Sequence, residues 1–299
     1  MNKTNALLAD IEAAIRTHAG NAFTIDRTRP MPGEAAGKTV VSSGTQERFF
    51  VKFAHLDAAD RFEAEADGLQ ALRTSTRFRV PTTIDCGSSG THAWLILEHL
   101  RIGPVSTVEH GKLAAEALVE LHANQGAEFG WHRDNYIGDT PQENGKTGNW
   151  SRFFALQRLK PQFERAAANG YGTELTKLGA RIIDRVPAMF LDYRARPCLV
   201  HGDLWHGNIA ITDDGRPALY DPAAHYGDHE VDLAMTELFG GLPESFYATY
   251  RAIAPLAEGH HERKTLYNLY HMLNHLNLFG RSYLGQVKRM TEQLSKMLA

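Results

Sequence analysis

The sequence predicts an α+β protein of two lobes. An antiparallel five-stranded sheet with one internal helix is expected in residues 1–100, and a mostly helical lobe in residues 101–299. Three observations predict it. Short alternating or apolar segments joined by hairpin-length turns crowd the first hundred residues, which favours antiparallel pairing. Helical periodicity takes over after that. Late in the chain, two acids and an amide are set around a predicted hairpin in residues 203–221, so the chemistry belongs to the second lobe.

A chain of 299 residues with 43% hydrophobic and 22% charged residues has the composition of a globular protein with a large core. A net charge of -3 carries no footprint for nucleic acid or an anionic membrane. Cys86 and Cys198 are too few for a disulfide framework, and no Cys-x-x-Cys occurs. A reducing compartment, the cytoplasm, is the expected location. Leu7, Leu8, Ile11 and Ile15 fall at helical spacing, and Asp10, Glu12 and Arg16 break up the apolar core a signal peptide needs. No apolar run approaches the ~20 residues of a membrane span.

In the first lobe, residues 22–25, 39–42 and 48–53 read as strands, with a turn at 43–46. Between the first two lies Pro32-Gly33-Glu34-Ala35-Ala36-Gly37-Lys38. Its glycines are one residue too close for a Walker A loop, and a strand follows where that motif opens a helix. Two readings stay open for Gly33 and Gly37: a loop over nucleotide phosphates, or an ordinary surface loop. Alternation places Phe50 and Lys52 on one face of their strand. Helix 59–73 carries Phe62, Leu69 and Leu72 on one stripe, and Glu65 falls in it. A carboxylate facing a core needs a partner. Lys52 suits it, and a strand lysine paired to a helix glutamate is how kinases grip a nucleotide. Residues 82–84 lead to a strand, 86–90 read as a turn, and 93–100 as a strongly apolar strand. At its end the backbone of Glu98 and Leu100 is either an adenine-binding edge or a plain linker.

Residues 111–123 are predicted helical with His122 as an ordinary helix-end histidine, 129–148 a long loop, and 150–168 and 173–185 helices. Then comes Leu199-Val200-His201-Gly202-Asp203-Leu204-Trp205-His206-Gly207-Asn208. Strands 208–211 and 217–220 flank the turn Thr212-Asp213-Asp214-Gly215, a hairpin that returns Asp221 to Asn208. An Asp base, an Asn five residues later and an Asp beyond a hairpin are the working parts of phosphoryl transfer. Asn208 and Asp221 suit magnesium, which takes oxygen ligands and bridges phosphates, while Asp203 is free to orient a hydroxyl. Asp228 is placed to cap the following helix, and Asp232 to brace the catalytic-loop backbone. His271 and His275, four apart on a helix, offer a rival zinc reading, weakened by the absence of His-Glu-x-x-His and by surrounding leucines.

Together, His201-Gly202-Asp203-Leu204-Trp205, Gly207-Asn208, Tyr220-Asp221-Pro222-Ala223, Asp232-Leu233-Ala234 and Phe239-Gly240-Gly241-Leu242-Pro243 resemble the fructosamine kinase (ketosamine-3-kinase) family. Phe62-Glu63-Ala64-Glu65 and Leu273-Asn274-His275-Leu276-Asn277 extend the likeness to nearly the whole chain. Trp205 and Phe239-Gly240-Gly241 set it apart from aminoglycoside phosphotransferases and choline kinases. The resemblance implies a protein-kinase-like fold and an enzyme that uses ATP and Mg2+ to phosphorylate the C3 hydroxyl of ribulosamines, erythrulosamines or fructosamines. The 3-phosphate then breaks down and releases the amine, a deglycation repair. It implies Asp203 as base, Asn208 and Asp221 as magnesium ligands, Lys52 and Glu65 on ATP, Trp205 and His275 at the substrate, and His201 and Asp232 as structural support. The partner is a small ketosamine or a glycated protein, with no nucleic acid and no membrane. Family members often carry three glycines and a cysteine in the phosphate loop. Residues 31–37 have no cysteine, so a disulfide-linked dimer is not expected and the chain is read as a monomer. A kinase for another hydroxylated metabolite and an idle nucleotide-binding protein remain as alternatives.

Overall fold

The first hundred residues build the predicted sheet. In a computed structural model, residues 3–30, 38–42 and 47–298 are described; Gly33, Gly37 and the turn expected at 43–46 lie outside them. Helix α1 (Lys3–Ala19) leads to β1 (Arg27–Pro30), β2 (Lys38–Ser42) and β3 (Arg48–His55). Helix α2 (Ala59–Leu72) precedes the pair β4 (Thr83–Ser89) and β5 (His92–Glu98). The strand order is β1-β2-β3-β5-β4, antiparallel throughout.

Period-two alternation sorts the sheet's two faces. Val41, Phe49, Val51, Trp94 and Ile96 bury against Leu7, Ile11 and Ile15 of α1. Leu95 and Leu97, on the other face, pack with Phe62, Leu69 and Leu72 of α2. Lys52 therefore points at α2, the side the sequence places it on.

The sheet differs from the sequence reading in several places, and the strand expected over 93–100 ends at Glu98. Residues 22–25 are not a strand. Phe23 is a plug under α1, edge-on to Phe49 at 5.4 Å, and its carbonyl accepts from Arg16 while the Ile25 N–H donates to Glu12. Those side chains satisfy backbone that would otherwise seek a ladder. The turn expected over 86–90 shrinks to Gly90 and Thr91, because β4 keeps pairing as far as Ser89.

Past the sheet come β6 (Ile102–Gly103), α3 (Val108–His122), β7 (Asn135–Ile137) and β8 (Thr140–Gln142), then α4 (Trp150–Phe154) and α5 (Lys160–Ala168), joined by a π-helical turn over Ala155–Leu159. Helix α6 (Thr173–Arg185) leads to β9 (Cys198–Val200), β10 (Ile209–Thr212), β11 (Pro217–Leu219) and β12 (His225–Gly227). Helices α7 (Glu230–Leu238), α8 (Glu244–Ile253), α9 (His260–Phe279) and α10 (Leu284–Met297) complete the chain. The stretch 129–148, expected as loop, holds the β7/β8 hairpin, whose polar three-residue strands give little sequence signal. Helix α9 runs through the core: Leu266, Leu269, Met272, Leu273 and Leu276 are all fully buried.

The β10/β11 hairpin is fastened on both edges. β6, which follows the crossing from the sheet, pairs with β10. On the other edge Arg79 exchanges two backbone hydrogen bonds with β11, to Pro217 at 2.7 Å and from Leu219 at 3.0 Å. Among the described residues no helix is long and apolar enough to cross a membrane.

Candidate active site

Strand β9 pairs with β12, and this sets the two functional loops side by side, with the Ala223 N–H donating to His201 C=O at 2.9 Å. Gly202 makes the turn possible. Its φ is +81°, and a Cβ there would collide with the Ala223 carbonyl.

A fully buried carboxylate holds the loop from behind. Asp232, on the first turn of α7, accepts from the His201 N–H at 2.8 Å and the Gly202 N–H at 2.9 Å. His122 adds a third contact at 3.2 Å and turns its other nitrogen to Tyr250. Burial alone would raise the Asp232 pKa, but His122, His201 and the Gly202 amide outweigh it and hold it low. His122 is thus part of the brace rather than an ordinary helix end. Sequence offered no signal for this, because its partner lies 110 residues away. His201 is buried and neutral: Nε2–H donates to Tyr220 C=O at 3.0 Å, and Nδ1 accepts from the Asp203 N–H at 3.2 Å. Asp228 accepts from the Glu230 N–H at 3.2 Å at the start of α7, and from the hydroxyls of Tyr193 and Tyr267.

Asp203, Asn208 and Asp221 come together. The Asn208 Nδ2 donates to the Asp203 carbonyl at 2.9 Å and approaches its carboxylate at 3.3 Å. Asp221 has φ +56°, the one positive φ outside glycine among the described residues. Backbone strain of this kind collects at functional sites. Burial, then the charges of Asp221 and Asp232, push the Asp203 pKa up to about 7, with the Asn208 amide opposing. His271 of α9 sits 3.9 Å from the Asp203 carboxylate, held neutral near a pKa of about 3 by burial and by His275.

Lys52 reaches this group from the sheet. Its Nζ lies 2.7 Å from Glu65 on α2 and 2.7 Å from Asp221. Burial would lower its pKa, but the two carboxylates overcome that and keep it charged. Helix α2 is tied in turn to 131–139: Trp131 Nε1–H donates to Asp67 at 2.6 Å, Arg133 and Tyr136 bind Asp60 at 2.6 and 2.9 Å, and Arg61 pairs with Asp139.

Trp205 and His275 do not touch; Phe239 stands between them, its ring 6.1 Å from Trp205 and 4.8 Å from His275. The zinc reading fails on geometry, since His275 Nδ1–H donates to the His271 carbonyl at 2.9 Å rather than converging with the His271 ring. Among the described residues, no three His, Cys, Asp or Glu side chains are set to hold a metal. The Glu98 N–H donates to the Thr82 carbonyl at 2.9 Å and its carboxylate pairs with Arg79, with Leu100 half-buried two residues on. Sequence reasoning also missed His271 as a neighbour of Asp203. Its four-residue spacing from His275 was the available signal.

The family model for fructosamine kinase matches residues 7–297. The chain belongs to this family. It is 41% identical over 286 residues to a probable ketoamine kinase of Synechocystis sp., covering 95% of each protein. It is 36% identical over 255 residues to a chloroplastic protein-ribulosamine 3-kinase of Oryza sativa subsp. indica, covering 84% of this chain and 73% of the relative. A candidate fructosamine-3-kinase of Haemophilus somnus superposes with a TM-score of 0.86 at 27% identity, over 95% of this chain and 96% of the other. An aminoglycoside phosphotransferase shares the fold at a TM-score of 0.65 and 16% identity, over 96% and 99% of the two chains. The fructosamine kinase family and the protein-kinase-like fold thus agree with the sequence reading.

Proposed function

We propose that this fructosamine kinase family member phosphorylates the C3 hydroxyl of ketosamines with ATP, and that breakdown of the 3-phosphate releases the amine as a deglycation repair. The observation that carries the reading is the convergence of Asp203, Asn208, Asp221 and Lys52 in one cleft. In this reading residues 1–100 form the nucleotide lobe and 101–299 the catalytic lobe. Gly33 and Gly37 cover phosphates, and the Glu98 carbonyl and Leu100 N–H take the adenine. The two free cysteines, Cys86 and Cys198, suit a cytoplasmic monomer.

The chemistry follows from the side chains. Asp203 orients the substrate hydroxyl and takes its proton. Asn208 fixes the carboxylate's rotamer through Nδ2. Lys52 is held extended between Glu65 and Asp221, with its charge aimed at the phosphates. Asp232 and His201 keep the Asp203 backbone in place. Magnesium fits the donor set. The Asn208 amide nitrogen is committed to Asp203, which turns its oxygen away, and crowded carboxylates that raise the Asp203 pKa mark a place for a cation. Asn208 and Asp221 would hold it, supplying charge neutralisation to the transferring phosphoryl group. Trp205 and His275 flank the sugar.

Purified protein with Mg-ATP should consume ATP when ribulosamine is added, and Asp203→Asn should lower kcat by about 10³-fold while keeping the fold. ATP consumption indifferent to every ketosamine in a panel with other amino alcohols would overturn the substrate.

A further inference from the structure

The β7/β8 hairpin is rooted on a buried cation. Arg158 stands on the π-helical turn between α4 and α5 and is 2% exposed. Turns of this kind collect at functional sites. Its guanidinium donates to the carbonyls of Glu143 and Gln157 and, at 2.6 Å, to Asn144 Oδ1, and it lies 4.5 Å from the centre of the Phe153 ring. Each of these acceptors is uncharged. Taking a guanidinium out of water without a paired carboxylate is costly, and an apolar side chain of like bulk would serve the core as well. What an apolar side chain lacks is the fork, which fixes several oxygens at once. From Asn144 the bonds run on. Its Nδ2 donates to Asn135 Oδ1 at 2.8 Å and to the Arg133 carbonyl at 3.2 Å, and its N–H donates to Asp134 at 2.8 Å. Asn135 Nδ2 then donates at 2.9 Å to the carbonyl of Ala224, on the loop that follows Asp221. Residues of the same segment hold α2: Arg133 and Tyr136 through Asp60, and Trp131 through Asp67. Glu65 lies between those two acids on the helix.

We infer that Arg158 is a positioning residue for the nucleotide grip: through Asn144 and the β7/β8 hairpin it sets where α2 presents Glu65 to Lys52, relative to the Asp221 loop. This role rests on the reading of Lys52 and Glu65 as the grip on ATP. Lys52 bonds both Glu65 and Asp221 at 2.7 Å, so its place depends on α2 and the Asp221 loop keeping one spacing. Two routes fix that spacing. One is Lys52 itself. The other runs from Ala224 through Asn135 and Asn144 to residues 131–136, and from there to Asp60 and Asp67 on α2. Arg158 is the buried anchor of the second route. When a phosphate draws on the Lys52 charge, the direct route weakens and the second keeps α2 in register. Arg158 touches no reacting atom; it acts through the hairpin alone.

The test measures the affinity for Mg-AMP-PNP, a non-hydrolysable ATP analogue, by isothermal titration calorimetry. The proteins are wild type, Lys52→Met, Arg158→Lys, Asn144→Ser, Arg133→Ala and the double variant Arg158→Lys/Arg133→Ala. Lysine keeps the charge and stem of Arg158 and loses the fork. Arg158→Lys should raise Kd about tenfold with unchanged stoichiometry. Asn144→Ser cuts the same route one residue on and should match it, even if the lysine variant folds poorly. Arg133→Ala should raise Kd a few-fold alone and add nothing on top of Arg158→Lys, because both act on one route. A purely structural Arg158 would lower the fraction of protein that binds and leave Kd in place. That result, or losses that multiply in the double variant, would overturn the positioning role. Lys52→Met keeps two failures apart. If it leaves Kd at the wild-type value, the grip reading fails first and the role of Arg158 with it. If Lys52→Met weakens binding while Arg158→Lys and Asn144→Ser do not, only the role of Arg158 falls.

Discussion

The two sides of the cleft are held by different physics. On the base side, Asp203 sits on a loop whose backbone amides are gripped by Asp232, a carboxylate with no solvent exposure, and by a neutral buried His201. On the grip side, the Lys52–Glu65 pair depends on α2, and α2 is tethered at the surface by Asp60, Arg61 and Asp67 to residues 131–139. Buried hydrogen bonds to a charge are stiff and costly to break, while exposed ion pairs are weak and screened by salt. The Asp203 loop is therefore placed by the fold itself. The Lys52–Glu65 pair is placed by a bracket of weaker surface contacts.

Breaking the base side should have the largest effect. Asp232→Asn turns one acceptor oxygen into a donor against a backbone N–H, at a fully buried position. We expect a loss of about 3 kcal/mol in stability, read by denaturant melts, with activity lost in parallel. A fully stable variant would show that the brace is not structural.

Next in size is the pH dependence of stability. Asp203 binds its proton more tightly in the folded protein, with a pKa of about 7 against an ordinary 3.8. Wild type should therefore lose stability as pH rises from about 4 to about 7 and then level off, because the unfolded chain has already released that proton. Asp203→Asn lacks this slope. In magnesium-free buffer with EDTA, the variant and wild type should melt alike near pH 4. At pH 8 the variant should be more stable by on the order of 2 kcal/mol. A parallel pair of curves across this range would contradict the burial and charge crowding assigned to Asp203.

The smallest effect belongs to the bracket. Arg133→Ala removes a half-exposed contact to Asp60 and should cost at most about 1 kcal/mol. Its signature is kinetic: KM for ATP should rise a few-fold, the rise should fade in high salt as wild type weakens to match, and the ketosamine KM should stay put. A change in the ketosamine constant instead would place residues 131–139 at the substrate.

Much of this was legible before any coordinates. Alternation put Lys52 on the α2 face, and a stripe put Glu65 opposite it; both are local signals. The hairpin returning Asp221 to Asn208 was readable because Asp213-Asp214-Gly215 is strong turn chemistry. What escaped depends on distant partners. Residues 22–25 alternate like a strand, yet α1 captures Phe23 and removes the segment from the sheet. His122 acquires its role only from Asp232, and the β7/β8 hairpin hides behind Gly138, Pro141 and polar neighbours. The four-residue spacing of His271 and His275 is visible in the sequence, where it supports only a weak rival zinc reading, but the approach of His271 to Asp203 depends on how α9 packs.

The fastening of the β10/β11 hairpin has a mechanical consequence. In a two-lobed enzyme the crossing segment is often a slack hinge. Here the chain entering β4 is stitched to β11 through Arg79, and the chain leaving β5 is stitched to β10 through β6. The same hairpin ends in Asn208 and Asp221. The hairpin that carries Asn208 and Asp221 is therefore fixed to the chain on both sides of the β4/β5 pair, so those two residues cannot shift independently of the sheet.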